Sequence, residues 1–385
     1  MRLIGGILLV AGTAIGAGML ALPVISAFAG FFPSLWGLIA CWAFMFATAW
    51  LILEVNLACP GDVNLISMAG RTLGTPGKLV CWVTYLLLLY SLTAAYLSGS
   101  APLLLHALHA LTGWLAPLWL GLCLMLVLFG LFVYLGTRSV DYVNRLLMGG
   151  LLISYACLVA SLPSHVQWPL VARADLSALS LAIPVMITSF GFHIIIPTLT
   201  TYLRHNAKQL RLTILIGSLL PLGVYVLWEF FVLGIVPLDG SPGLIASWQA
   251  GESGAVPLAA ILGSGWISKV ANAFSFFAII TSFLGVSLSL SDFLGDGLKL
   301  HRFTWGREGA CLLTFVPPFV FALAYPRGFL LALQYASVFV AILLGVLPTL
   351  MAWRLPKYRS HLKKGWLGAM LLLSLLLIWL SINDV

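Results

Sequence analysis

The chain reads as an all-α integral membrane protein. Three observations carry this: its 385 residues are 62% hydrophobic and only 8% charged, apolar runs of spanning length recur along it, and its nineteen Lys and Arg residues fall almost wholly between alternate runs. A soluble domain carries about 25% charged residues, and the mean hydropathy here is +1.09. A helix that crosses a bilayer needs about 20 mostly apolar residues. Eleven segments qualify: 3–27, 33–57, 78–101, 115–136, 144–162, 179–202, 212–235, 266–292, 310–325, 328–352 and 365–382.

With the N-terminus in the cytoplasm, sixteen of the nineteen basic residues lie on the cytoplasmic side, and only Arg173, Lys269 and Arg327 lie outside. Loop Lys and Arg set membrane orientation, so this asymmetry also checks the segment count. The +8 net charge is thereby absorbed by topology, and a nucleic-acid partner has no domain to bind. The first segment needs no signal-peptide explanation: Arg2 precedes it, but the run is too long for an h-region and has no cleavage signal. The six cysteines are scattered singly without a CxxC pair and read as small buried hydrophobes. No loop is long enough to hold a soluble enzyme domain. The longest, about 236–265, reads as an extracellular cap. No HExxH, GxSxG or acid cluster points to a membrane enzyme.

Taken in order, the segments differ in what interrupts them. The first contains AGTAIGAGMLALP, with Gly12, Gly16 and Gly18 inside a stretch that should be helical; each glycine there costs roughly 1 kcal/mol relative to alanine. The second ends in LEVN, with Glu54 and Asn56. The third carries Tyr90, Ser91, Thr93 and Tyr96. The fifth has Arg145 at its cytoplasmic mouth and no lysine. The sixth, IPVMITSFGFHIIIPTLTTY, clusters Thr188, Ser189, Gly191 and His193 at mid-membrane. The seventh and eighth carry Glu229 and Asp292 near their ends, and the eighth has the hydroxyl pair Thr281–Ser282. The ninth is short and is expected to kink at Pro317-Pro318. The eleventh stands outside the pattern of ten.

Irregular backbone in a membrane is tolerated where it lines a polar cavity. A proline follows Gly16 by seven residues and Gly191 by six, in segments five apart. Paired interruptions of this kind point to an inverted-repeat transporter with its binding site at the breaks. The repeats would be about 1–162 and 179–352 within one domain covering 1–385, with 365–382 extra. Taken alone, Gly12 and Gly16 also fit a GxxxG packing face.

GTAIGAGMLALP, LEVN, YSLTAAYLSG, TSFGFH, AIITSFLGVSLSLSDFL and YPRGFLLAL together resemble the bacterial aromatic amino acid permeases, over nearly the whole chain. The resemblance implies a LeuT-type fold with broken helices 1 and 6, and cation-coupled import of an aromatic amino acid, with tyrosine favoured and tryptophan or serine/threonine as alternatives. It implies a location in the bacterial inner membrane, and no obligate protein partner or cofactor is expected. By the same resemblance, the substrate carboxylate meets backbone amides near Gly16, Ala17 and Gly18. Its amino group meets carbonyls of Ala14, Ser189 and Phe190. Thr13 and Gly191 lie at the same breaks, and Phe192 lies where relatives place an aromatic ring over the substrate; an ordinary core phenylalanine is the alternative. Tyr90 and Tyr96 point to different sides of one helix, and Tyr96 is preferred as the contact.

His193 is the mid-membrane ionisable group, a candidate for substrate contact or proton coupling. Glu54 is a candidate for coupling or for the inner gate, and Tyr335 for the outer gate. The resemblance implies a proton as the coupling ion. Thr281 and Ser282 with the carbonyls of Gly12 and Ile15 leave a sodium site open, since oxygen ligands suit a hard cation; back-bonding to helix carbonyls is the other reading of that pair. A channel or an amino-acid sensor is the rival from a different class, and uphill accumulation separates it from a symporter.

Overall fold

A computed structural model describes residues 2–383 apart from Asp62, Ser264 and Pro326. Pro326, within the YPRGFLLAL motif, thus lies outside the described residues. Among those described, every regular element is helical. The spans are 1 (Arg2–Ala14 and Gly18–Ser26), 2 (Phe31–Ala58), 3 (Leu65–Thr112), 4 (Leu118–Leu135), 5 (Thr137–Ser161), 6 (Leu176–Tyr202), 7 (Ala207–Ile235), 8 (Trp266–Gly297), 9 (Gly306–Ala324), 10 (Gly328–Trp353) and 11 (His361–Asn383). The two halves of span 1 are bent by 52°, and with that pair taken as one span the helices long and apolar enough to cross a membrane number eleven.

Burial sorts the spans into layers. Over an 18-residue apolar stretch of each, 61% of span 10 and 56% of spans 6 and 8 is buried, against 22% of span 5 and 28% of spans 4 and 11. The broken spans 1 and 6 pack against spans 2, 7 and 10, and span 8 reaches span 1 through the Ala17–Ser282 hydrogen bond. The less buried spans turn more of their apolar surface outward, where lipid replaces water as the solvent of the fold.

Two spans differ from expectation. Span 3 starts at residue 65 rather than 78, because Asn64 caps a short helix by accepting from Ser67 N at 2.8 Å; Gly74, with φ of 74°, then breaks it from the long helix. Span 9 runs from Gly306 to Ala324, longer than expected, as one helix that includes Pro317-Pro318. A proline lacks the N–H that would bond the carbonyl four residues back. For Pro317 that carbonyl belongs to Leu313, and Tyr90 Oη on span 3 donates to it at 2.8 Å. The proline defect thus becomes a polar joint between spans 3 and 9.

The connection between spans 7 and 8 forms two short helices, Leu244–Ala250 and Ala255–Ile261. They lie over the second half of span 1, where Gly254 N donates to Leu20 O at 2.8 Å and Trp248 meets Phe28 edge-on at 5.4 Å. This is the face opposite the N-terminus.

Candidate functional site

The first half of span 1 ends at Ala14, and the corresponding helix of span 6, Ile183–Ser189, ends at Ser189. The last carbonyls of any helix lack an intrahelical donor, so both ends present bare oxygens in the middle of the protein. One side chain serves both. Tyr225 on span 7, fully buried, donates to Ala14 O at 2.6 Å and Ser189 O at 2.8 Å. The phenol has a single proton to share between them. Each carbonyl keeps a second lone pair, and the negative ends of two half-helix dipoles converge there. That is a place for an ammonium group.

The second half of span 1 starts at Gly18; Met19 N and Leu20 N donate to Gly16 O at 3.2 Å and Ala17 O at 3.1 Å, while the amides before them have no preceding turn to bond. Ala17 N donates to Ser282 Oγ on span 8 at 2.9 Å. The glycines on either side are required by close approach: a Cβ on Gly16 would lie 2.5 Å from Ser282 Oγ, and one on Gly18 would lie 3.1 Å from Ser189 Oγ. The sequence breaks its helix where other helices press against it.

A cavity of about 440 Å³ opens at these breaks, a size ordinary for a small-molecule site. Gly12, Thr13, Ala14, Ile15, Gly16 and Gly18 form one wall. Ser189 and Gly191 of span 6, Tyr96 of span 3, and Thr281 and Ser282 of span 8 complete it. It also reaches Tyr85 and Asn144. Tyr85 lies eleven residues before Tyr96, about 16 Å along the helix, so the cavity extends from the breaks toward the N-terminal face. Thr198 and Ser289, which also line it, are exposed. On the other side, Phe329 packs so closely on span 3 that a Cβ on Gly99 would lie 2.8 Å from its ring. A separate cavity of about 650 Å³ begins beyond that contact, bounded by the connection between spans 7 and 8. The broken helices are thus reached from the N-terminal face and closed from the opposite one.

Several expected residues stand elsewhere. Ala17 contributes its amide to Ser282 without lining the cavity. Phe190 is fully buried with its ring 5.2 Å from that of Tyr225, and Phe192 is fully buried against the His193 ring at 5.0 Å; neither side chain lines the cavity. His193 is also fully buried, its Nε2 2.9 Å from Thr48 Oγ1 of span 2, and does not line the cavity either. Thr48 Oγ1 reaches Met45 O at 3.1 Å. If the threonine spends its proton there, His193 must donate from Nε2, and Nδ1 is left as a buried nitrogen without a partner. Tyr335, the outer-gate candidate, is 44% exposed, in a side groove with Tyr90 and Phe321 between spans 3, 9 and 10, and does not line the cavity. The buried face of span 10 carries Phe329, Leu333, Ala336 and Val340 instead. Thr281 donates to Phe277 O at 2.8 Å, and Ser282 to Ala278 O at 2.8 Å. Both hydroxyls therefore back-bond while sharing a wall with Gly12 and Ile15.

Glu54 lies away from the cavity, in an ion cluster on the N-terminal face. Its oxygens meet Arg211 Nη2 at 3.1 Å and Lys357 Nζ at 2.6 Å. The acid is 9% exposed and its partners 43% and 49%. The cluster joins spans 2 and 7 to the connection between spans 10 and 11. Water screens the two cations, so Glu54→Gln is expected to cost only about 1 kcal/mol of stability. The check is thermal unfolding of purified protein in detergent, where an unshifted midpoint would rule out a structural tie.

Tyr225 was missed by sequence reading. The available signal was the i, i+4 pair Tyr225 and Glu229, which puts two polar groups on one face of an otherwise apolar span. The π-helical turn Ala341–Val346 of span 10 was also missed. It puts Leu344 in the cavity wall next to Val340, and such turns gather at functional sites.

The sequence profile of the Tryptophan/tyrosine permease family matches residues 1–385. The chain belongs to this family. The permease is similar to Tyrosine-specific transport system 1 of Haemophilus influenzae, 36% identical over 389 residues that cover 100% of this chain and 96% of the relative. It is also similar to the Tryptophan-specific transport protein of Pseudomonas aeruginosa, at 31% identity over 95% and 89% of the two chains. A crystal structure of MhsT in complex with L-phenylalanine matches the permease with TM-score 0.65 and 15% identity, covering 99% of this chain and 98% of that one. The likeness to MhsT is one of fold, and the fold is the LeuT type. The permease is therefore a multi-pass transporter of the aromatic amino acid class and not an enzyme.

Proposed function

We propose that this permease is a proton-coupled importer of tyrosine that works by alternating access, with its N-terminal face in the cytoplasm of a bacterial inner membrane. The observation that carries the reading is the single cavity into which both helix breaks open, with Tyr225 joining their carbonyl ends. The substrate ammonium goes to the Ala14 and Ser189 carbonyls, and its carboxylate to the amides entering the second half of span 1. The ring extends along the cavity past Tyr96. Asn144, a partly buried polar side chain, also lines that cavity. It suits an aromatic ring with a donor at its tip, and so favours tyrosine or tryptophan over phenylalanine. The relative at 36% identity, named for tyrosine, supports tyrosine first. The excess of basic residues on the N-terminal side supports the orientation.

A sodium-coupled reading is second, because Thr281, Ser282, Gly12 and Ile15 share one wall. Against it, the Ala17 N–H points its positive end at Ser282 Oγ and opposes a cation there.

The test is radiolabelled tyrosine uptake into proteoliposomes under a pH gradient or a sodium gradient alone, with unlabelled tryptophan, phenylalanine and serine as competitors. Accumulation driven by the pH gradient, with phenylalanine the weakest aromatic competitor, is expected. Accumulation driven by sodium alone replaces the proton reading with the sodium one. No accumulation under either gradient removes symport altogether.

A further inference from the structure

Glu229 lies on span 7 one turn from Tyr225, toward the face opposite the N-terminus, and is completely buried. Both carboxyl oxygens meet the same group: Ser26 Oγ, at the end of the second half of span 1, lies 2.8 Å from one and 2.6 Å from the other. No Lys, Arg or His among the described residues forms an ion pair with it. A serine hydroxyl has one proton. If Ser26 donates to one oxygen, the other short contact is a full hydrogen bond only when a proton on the carboxyl points back at Ser26 Oγ. The pair is complete for a carboxylic acid and half made for a carboxylate, and a buried carboxylate with no cation is strongly disfavoured.

The charged and titratable groups on the elements packed around it are occupied or distant. Arg2 begins span 1. Cys41 lies within span 2, and Glu54 is paired at the far end of that span. In the connection before span 6, His165 meets Ser164 and Arg173 Nη1 donates to Phe28 O at 3.2 Å. In the connection between spans 7 and 8, Asp239 lies before the two short helices and Glu252 lies between them, where burial raises its carboxyl above the usual range. Tyr225 spends its hydroxyl on Ala14 and Ser189.

We infer that Glu229 is a proton-binding site of this permease, loaded when the second half of span 1 stands away from span 7 and sealed by Ser26 when it closes. The inference rests on the proton-coupled reading above and gives the proton an address. One face of span 7 touches both halves of the bent span, Tyr225 at Ala14 and Glu229 at Ser26, so movement about the 52° bend acts on both contacts. The proton arrives from the outer face with the carboxyl open. It leaves toward the cavity, past the Tyr225 hydroxyl one turn along the same helix.

The experiment uses full-length protein in proteoliposomes, as wild type, Glu229→Gln and Glu229→Asp. Tyrosine counterflow without a gradient is read beside accumulation under a pH gradient of one unit, which for one coupled proton supports about a tenfold concentration ratio. The expected result is that the Gln variant retains counterflow above the empty-vesicle background but accumulates to a ratio of about one, while the Asp variant retains pH-driven accumulation. A Gln variant that accumulates like a pH-responsive wild type overturns the inference and leaves the proton-coupled reading standing. Loss of counterflow in both variants overturns it too, since the carboxyl would then be structural. A wild type indifferent to the pH gradient removes the proton-coupled reading, and this inference with it.

Discussion

Tyr225→Phe slows tyrosine uptake about tenfold to a hundredfold, with the amount of protein in the membrane unchanged; by rate arithmetic that is about 1.4–2.8 kcal/mol. The substitution removes one oxygen and leaves the ring, with its contact to Phe190 at 5.2 Å, in place. What it strips is the one donor that, among the described residues, serves two helix ends at once, Ala14 O and Ser189 O. A buried acceptor left without its partner costs about 1–3 kcal/mol. The two breaks then keep their packing but lose the hydrogen-bonded link between their carbonyl ends, so substrate meets a less well assembled site. Initial uptake rates, normalised to membrane protein by immunoblot, are the check; a wild-type rate would mean the breaks hold each other without the hydroxyl.

Gly16→Ala abolishes uptake more completely, and Ser282→Ala in the same chain restores part of it. The new methyl would lie 2.5 Å from Ser282 Oγ, while Ser282 Cβ stands back at 3.7 Å. Removing the oxygen therefore relieves the collision and leaves ordinary contact. The reverse loss, of the Ala17 N to Ser282 Oγ bond, costs about 1 kcal/mol, which is why the double variant recovers only in part. Two residues that touch should be non-additive by about 0.5–3 kcal/mol. Uptake by the four members of the cycle decides it, and strict additivity would place the harm of Gly16→Ala somewhere other than this contact.

The membrane architecture was legible because bilayer thickness fixes the length of an apolar run, and a run can be counted without knowing what it touches. The two breaks were legible for a related reason: Gly16, Gly18 and Gly191 stand where an uninterrupted span would avoid them. The directions of side chains near the breaks were not legible. Helical phase advances by a fixed angle per residue only while the helix lasts, and the irregular residues 190–192 discard it. Phe192 and His193 could not be aimed from sequence, and they point into protein. Tyr335 could not be aimed for want of partners: its face of span 10 is set by what spans 3 and 9 offer, including the groove beside Tyr90. Tyr225 needed a third helix to be placed before its hydroxyl had anywhere to go.

The hydrogen bond from Gly254 N to Leu20 O ties the connection between spans 7 and 8 to the second half of span 1 with main-chain atoms alone. Genetic drift rewrites side chains and leaves peptide groups where they are. This tie therefore survives most substitutions that erode a side-chain latch, and an alanine scan of the region passes over it. Its vulnerability is of another kind. Proline at residue 254 would delete the donor, an inserted residue would displace it, and any larger side chain there must negotiate with Pro23, whose ring would lie 3.3 Å from a Cβ. In a lineage of such permeases, the length of this connection should vary less than its composition.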